Sequence, residues 1–249
     1  MPDLAETIGA LADRSTTALL DLHDDYVCTR MSWSDMLVRV ARYGENPTIV
    51  NPITGSSVDG VVLAFKARTS IQRLRIRVYK DLISQFEIFI GELIRVWLTG
   101  NPQSLQGRSI TVETILSSKD LAALKAAAIE EAVAAVISDK LFGRPEKWFN
   151  YLKSVVGAKV GAFANDQLSF SEFKARRDAL EHHDGKIESA YLEKAKAAAR
   201  YKLGDMVEIS EANVDEAYEL IRSLVLSTAD AVMQIARVHP ELQQSKQSQ

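Results

Sequence analysis

The chain has 249 residues, 47% hydrophobic and 25% charged, with 30 Lys and Arg against 33 Asp and Glu for a net charge of −3. The apolar fraction excludes a disordered chain, 12 Gly and 6 Pro exclude a collagenous or low-complexity one, and a single cysteine, Cys28, excludes an intrachain disulfide. The opening MPDLAETIGALADR carries acids where a secretory signal carries basic residues, and the most apolar run, IFIGELIRVWLTG, is broken by Glu92 and Arg95. A cytoplasmic protein with no membrane partner is expected.

From Asp3 to about Arg30, Leu4, Ile8, Leu11, Leu19 and Leu22 recur at helical spacing and predict an amphipathic helix. A second, short helix is expected from Ser34 to Arg42, with Ser34 as its N-cap. Tyr43 to Gly60 concentrates Pro, Gly, Asn and Ser and reads as a long surface loop or hairpin. Val61 to Thr99 has no Pro and only Gly91 inside it, so it reads as one long helix or two joined end to end. Lys119 to Leu141 is Ala-rich and helical, stopped by Gly143 and Pro145, and Pro145 then opens a further helix in PEKWFNYLKSVVG.

Leu168 to His183 predicts another helix, ended at Asp184-Gly185 with Gly185 in a left-handed position. A short helix at Ala190 to Tyr201, a strand-like MVEIS at Met206 and a last long helix from Asn213 to Val238 complete the reading, before a polar tail over 239–249. The fold class is all-α, a single bundle of seven to nine helices. Phe86, Phe89, Trp97, Trp148 and Phe149 sit among aliphatics at helical spacing and are expected in its core.

Histidine is the useful filter for chemistry, since there are only four. His23 lies between Asp21 and Asp25, but those three do not share a helix face, and a solvated helix end is expected there. His239 adjoins Pro240 at a helix end. His182 and His183 stand in RRDALEHHDG, where Asp178 and His182 are four apart and can hydrogen-bond. Asp178 and the last helical turn would together favour the protonated imidazole, suiting it to proton transfer near neutrality. Arg177 flanks the same position with a permanent, forked cation matched to phosphate. Basic residues and a Gly cap are also common at ordinary helix ends, so these residues alone leave both readings open.

The stretch RRDALEHHDGKIESAYL resembles the signature of the HEPN superfamily, in which an arginine and a polar residue precede a histidine by a few positions. On that pattern Arg177 is the motif arginine, Asp178 the polar residue and His182 the histidine three before Gly185. Tyr191 matches an aromatic that often follows, and Arg176 and His183 form a competing register. The resemblance implies a HEPN-like bundle over 61–238, with 1–60 as an added N-terminal helical element. It also implies a metal-independent endoribonuclease of a toxin or defence system, without cofactor, in which two protomers form a composite cleft and an antitoxin or other regulatory partner restrains it. A non-catalytic module of the same fold, binding RNA, a nucleotide or a partner protein, is the alternative. Asp178, Glu181 and His183, which replace commoner motif residues, favour it.

Between 61 and 80 the chain carries Lys66, Arg68, Arg73, Arg75, Arg77 and Lys80 and no acid, within an otherwise acidic protein. Lys66, Arg73, Arg77 and Lys80 fall within about 60° on a helix, a basic stripe suited to an RNA backbone. Phe65 and Tyr79 are the only aromatics interleaved with it. A solvated face paired with acids elsewhere, or a dock for an acidic partner, is the alternative. Phosphate-binding glycine loops, HExxH and GxSxG are absent, and Cys28 is expected to be a buried or incidental thiol.

Overall fold

The computed structural model describes residues 3–42, 48–105, 109, 111–141, 145–157 and 164–238. In chain order the elements are α1 (Leu4–Arg42), β1 (Thr48–Val50), β2 (Ser57–Asp59), α2 (Gly60–Gly100), α3 (Val112–Ser117), α4 (Leu121–Leu141), α5 (Pro145–Tyr151), α6 (Ala164–His182), α7 (Ser189–Ala195) and α8 (Glu211–Val238). The fold is all-α, with the two short strands paired as an antiparallel ribbon between α1 and α2. No helix among the described residues is long and apolar enough to cross a membrane.

Local chemistry sets the ends of these helices. The Asp59 carboxylate accepts hydrogen bonds from the Val61 and Val62 amides at 2.8 and 3.2 Å and starts α2. Ser210 and Asn213 cap α8 reciprocally, each side chain accepting from the other's amide. At the far end of α6 the Gly185 amide reaches back to the Ala179 carbonyl at 3.0 Å, with Asp184 and Gly185 at φ 50° and 84°.

Two predicted elements change and one unpredicted helix appears. Ser34 caps nothing: α1 runs unbroken through it, and the Asp35–Arg39 ion pair spans one turn on its far side. MVEIS contributes a single bridge, Met206 to Lys186, rather than a strand. Val112–Ser117 forms a short exposed helix that apolar periodicity does not announce, although Thr111 caps it through the Thr114 amide. The predicted hairpin is present at 48–59, while 43–47 and the tail lie outside the described residues.

Helices α1 and α2 are antiparallel, since Leu4 packs beside Gly100, and α8 lies along both. Met233 near its end approaches Gly9, and Glu211 at its start meets Arg30 and lies 3.9 Å from Arg75. His23 is therefore not at a solvated helix end: it sits inside α1, 3.0 Å from Asp215 and stacked on Tyr218 of α8. Phe86, Phe89, Trp97, Trp148 and Phe149 are all buried, with Phe170 edge-on to Phe86 at 4.8 Å. Cys28 is exposed, which excludes the buried one of its two readings.

Candidate functional site

One face of α6 presents Ser171, Lys174, Asp178 and His182 at spacings of three and four, with Arg177 beside them. Across from it α2 presents Ser84, Glu87, Ile88 and Gly91. Lys147 of α5 and Lys194 of α7 close the sides. The space between is an open cleft of about 920 Å³, and of the three histidines among the described residues only His182 lines it. Arg95, Lys147, Lys174, Arg177 and Lys194 face Glu87, Glu92 and Asp178 there, so the lining carries excess positive charge in an acidic chain.

The two adjacent arginines have separate environments. Arg176 is fully buried, pairs through Nε and Nη2 with Glu172 at 3.2 and 2.5 Å, and lies over the rings of Phe173, Tyr79 and Tyr201 at 5.0–5.5 Å. It belongs to the core. Arg177 lines the cleft and donates to Glu87 at 2.6 Å and to Glu181 at 2.9 Å. Burial disfavours its charge, and the carboxylates of Glu87, Glu181 and Asp178 outweigh that, leaving it a firm cation. Lys174 also donates to Glu87. From sequence this acid of the long helix is considered for the cleft and decided against, yet it lines the cleft.

The expected Asp178–His182 hydrogen bond is replaced. The Asp178 carboxylate instead accepts from Lys194 at 2.9 Å, with Arg177 Nε at 3.4 Å and Lys174 at 3.9 Å. Three cations outcompete an imidazole for one carboxylate, and Lys194 is out of reach of any reading confined to α6. Partial burial works against ionisation of Glu181, and hydrogen bonds from Arg177 and Lys80 outweigh it, holding this carboxyl below its ordinary range.

Tyr191 is also reassigned. Its hydroxyl donates to Glu172 at 2.6 Å and accepts from the Arg200 amide at 3.0 Å, inside the core and away from the cleft. Burial and the bond to Glu172 push its phenol above the ordinary range. His183 is exposed outside the cleft, with Nδ1 3.4 Å from Glu188. Among the described residues, no group of three His, Cys, Asp or Glu side chains is placed to hold a metal ion.

Of the basic stripe, Lys66, Arg73 and Arg77 are exposed on α2, Arg77 lies 3.6 Å from Asp81, and Lys80 is paired with Glu181 at 3.2 Å. Tyr79 is buried and donates to the Phe173 carbonyl at 3.1 Å, so it is not available for stacking, whereas Phe65 is 72% exposed. Comparison of the chain with family models, with curated proteins and with solved structures finds no match.

Proposed function

We propose that the protein is a metal-independent endoribonuclease of HEPN type, acting in the cytoplasm within a toxin or defence system. The observation that carries the reading is that Arg177, Asp178 and His182 line one open cleft with excess positive charge. RNA supplies its own nucleophile, so the protein has only to move protons and stabilise charge. His182 takes the proton of the 2′-OH, whose oxygen attacks the adjacent phosphorus. Arg177 and Lys174 stabilise the charge that develops on the non-bridging oxygens. The P–O5′ bond breaks, the departing oxygen gains a proton, and the products are a 2′,3′-cyclic phosphate and a 5′-hydroxyl. A homodimer with a composite cleft would provide a second His182 as the acid, and an antitoxin or other partner would restrain the activity. Cleavage of cellular RNA in EDTA, lost in Arg177→Ala and His182→Ala, tests the reading.

A second reading has its own support. Glu87 and Glu181 already occupy the Arg177 guanidinium, and Lys194 occupies Asp178. These pairs suit a non-catalytic module that binds RNA, a nucleotide or a protein partner. That module would retain RNA in a filter-binding assay without producing any cyclic phosphate.

A further inference from the structure

Helices α1 and α2 extend past the rest of the bundle. No residue of α1 beyond Tyr26 is buried, and α8 begins only at Glu211, level with Arg30 and Arg75. Ala67 and Ile71 are buried but stand apart from the main core cluster. The distal halves of the two helices and the β1–β2 ribbon thus form an arm with its own small contact surface.

The outer face of this arm is both basic and apolar. Val62, Lys66, Thr69 and Arg73 follow one another at spacings of four, three and four along α2, with Phe65 beside them. Val62 and Phe65 are 46% and 72% exposed. Among the described residues, Lys66, Arg68 and Arg73 have no carboxylate within ion-pair distance, in contrast to Lys80 and Arg77 nearer the bundle. The row continues on one helical face through Arg77, Lys80 and Ser84 to Glu87 and Gly91 in the cleft wall, because each step is again three or four residues.

We propose that this arm is a docking rail for single-stranded RNA and that it sets a minimum length for the molecule the cleft receives. The inference rests on the ribonuclease reading for its direction toward the cleft. Unpaired cations in a protein of net charge −3 match a phosphate backbone, and the exposed Phe65 ring offers a face to a base. Lys66 and Glu87 are 21 residues apart on α2, about 32 Å at ~1.5 Å per residue. At ~3.4 Å per stacked nucleotide this distance accommodates about nine nucleotides.

The test uses the full chain and 2′-O-methyl RNA, which has no free nucleophile and so binds without being cut. Fluorescence anisotropy would compare a 20-nucleotide strand with a 4-nucleotide strand across a salt series. Wild type is expected to bind the longer strand at least about tenfold more tightly, because only that strand reaches the arm cations. A Lys66→Gln, Arg73→Gln variant should bind both strands alike, with the slope of log affinity against log salt reduced by about 1.4. Phe65→Ala should weaken the longer strand by about fivefold or more and leave the shorter one unchanged. These side chains are exposed, so melting curves matching wild type establish that each variant folds.

The proposal is overturned if the Lys66→Gln, Arg73→Gln variant keeps wild-type affinity and salt slope for the 20-mer. It is overturned equally if the arm changes alter only binding to phosphatidylserine vesicles or self-association in sedimentation. Length-dependent binding without cleavage of unmodified RNA would reject the nuclease reading and retain the arm as an RNA-docking surface.

Discussion

Replacing Arg176 or Arg177 by Met gives opposite expectations for two neighbouring residues of one type. Arg176→Met removes a guanidinium whose side chain is 1% exposed and leaves Glu172, also 1% exposed, without its partner. Among the described residues the carboxylate retains only the Tyr191 hydroxyl at 2.6 Å and Arg200 Nε at 3.8 Å. Breaking a buried pair in this way costs about 3–5 kcal/mol. At about 2–4 °C per kcal/mol for a chain of this size, Tm should fall by about 6–20 °C.

Arg177→Met removes a side chain whose two hydrogen-bonded carboxylate partners each have a second cation, as does Asp178 beside them. Glu87 keeps Lys174, and Glu181 keeps Lys80 at 3.2 Å. Both carboxylates are also partly solvated, so the cost should be about 1 kcal/mol and the drop in Tm about 2–4 °C. Thermal melting followed by circular dichroism at pH 7 reads both values. If Arg176→Met melted like wild type, or Arg177→Met fell as far as Arg176→Met, the assignment of one arginine to the core and the other to the cleft would be wrong.

Tyr191→Phe should lower stability by about 1–2 kcal/mol in urea unfolding, by removing the acceptor of the Arg200 amide and a donor to Glu172, without altering RNA binding. Gly185→Ala should cost about 1–2 kcal/mol in the same assay because φ there is 84°; a Cβ would meet Leu180 only at 3.5 Å, so backbone conformation and not crowding sets the penalty. Glu87→Gln removes one carboxylate that Arg177 and Lys174 share and should tighten oligonucleotide binding severalfold by anisotropy. The Arg200 hydrogen bond holds Glu216 below the ordinary carboxyl value of 4.5, so the pair stabilises the fold above that pH. That contribution is lost as pH falls through the depressed folded value, and Glu216→Gln should flatten the acid limb of the stability curve.

Much of the architecture was legible because it depends on local periodicity. The unbroken apolar register of α2 and α8 and the Asp184-Gly185 stop of α6 could be read directly from residue spacing. The Ser34 boundary failed for an equally physical reason. A serine is as compatible with an exposed helix interior as with a cap, and no apolar register shift occurs there to separate the two. The stripe from Lys66 to Lys80 was legible as an angle, but Tyr79, on the same helix, was not recognisable as buried, because the Phe173 carbonyl that holds it is contributed by α6. Arg176 and Arg177 are indistinguishable by type, and their roles are decided by Glu172 on one side and Glu87, 90 residues away, on the other. The link expected between Asp178 and His182 gives way to Lys194 for the same reason: a contact made in three dimensions outweighs a favourable spacing along one helix.

The ribonuclease activity is tested by incubating total RNA with purified protein in EDTA, with Arg177→Ala and His182→Ala in parallel, and analysing the new ends. Cleavage is expected with the wild type alone, leaving 2′,3′-cyclic phosphate and 5′-hydroxyl termini. Intact RNA with the wild-type protein, or equal cleavage by all three proteins, would contradict it.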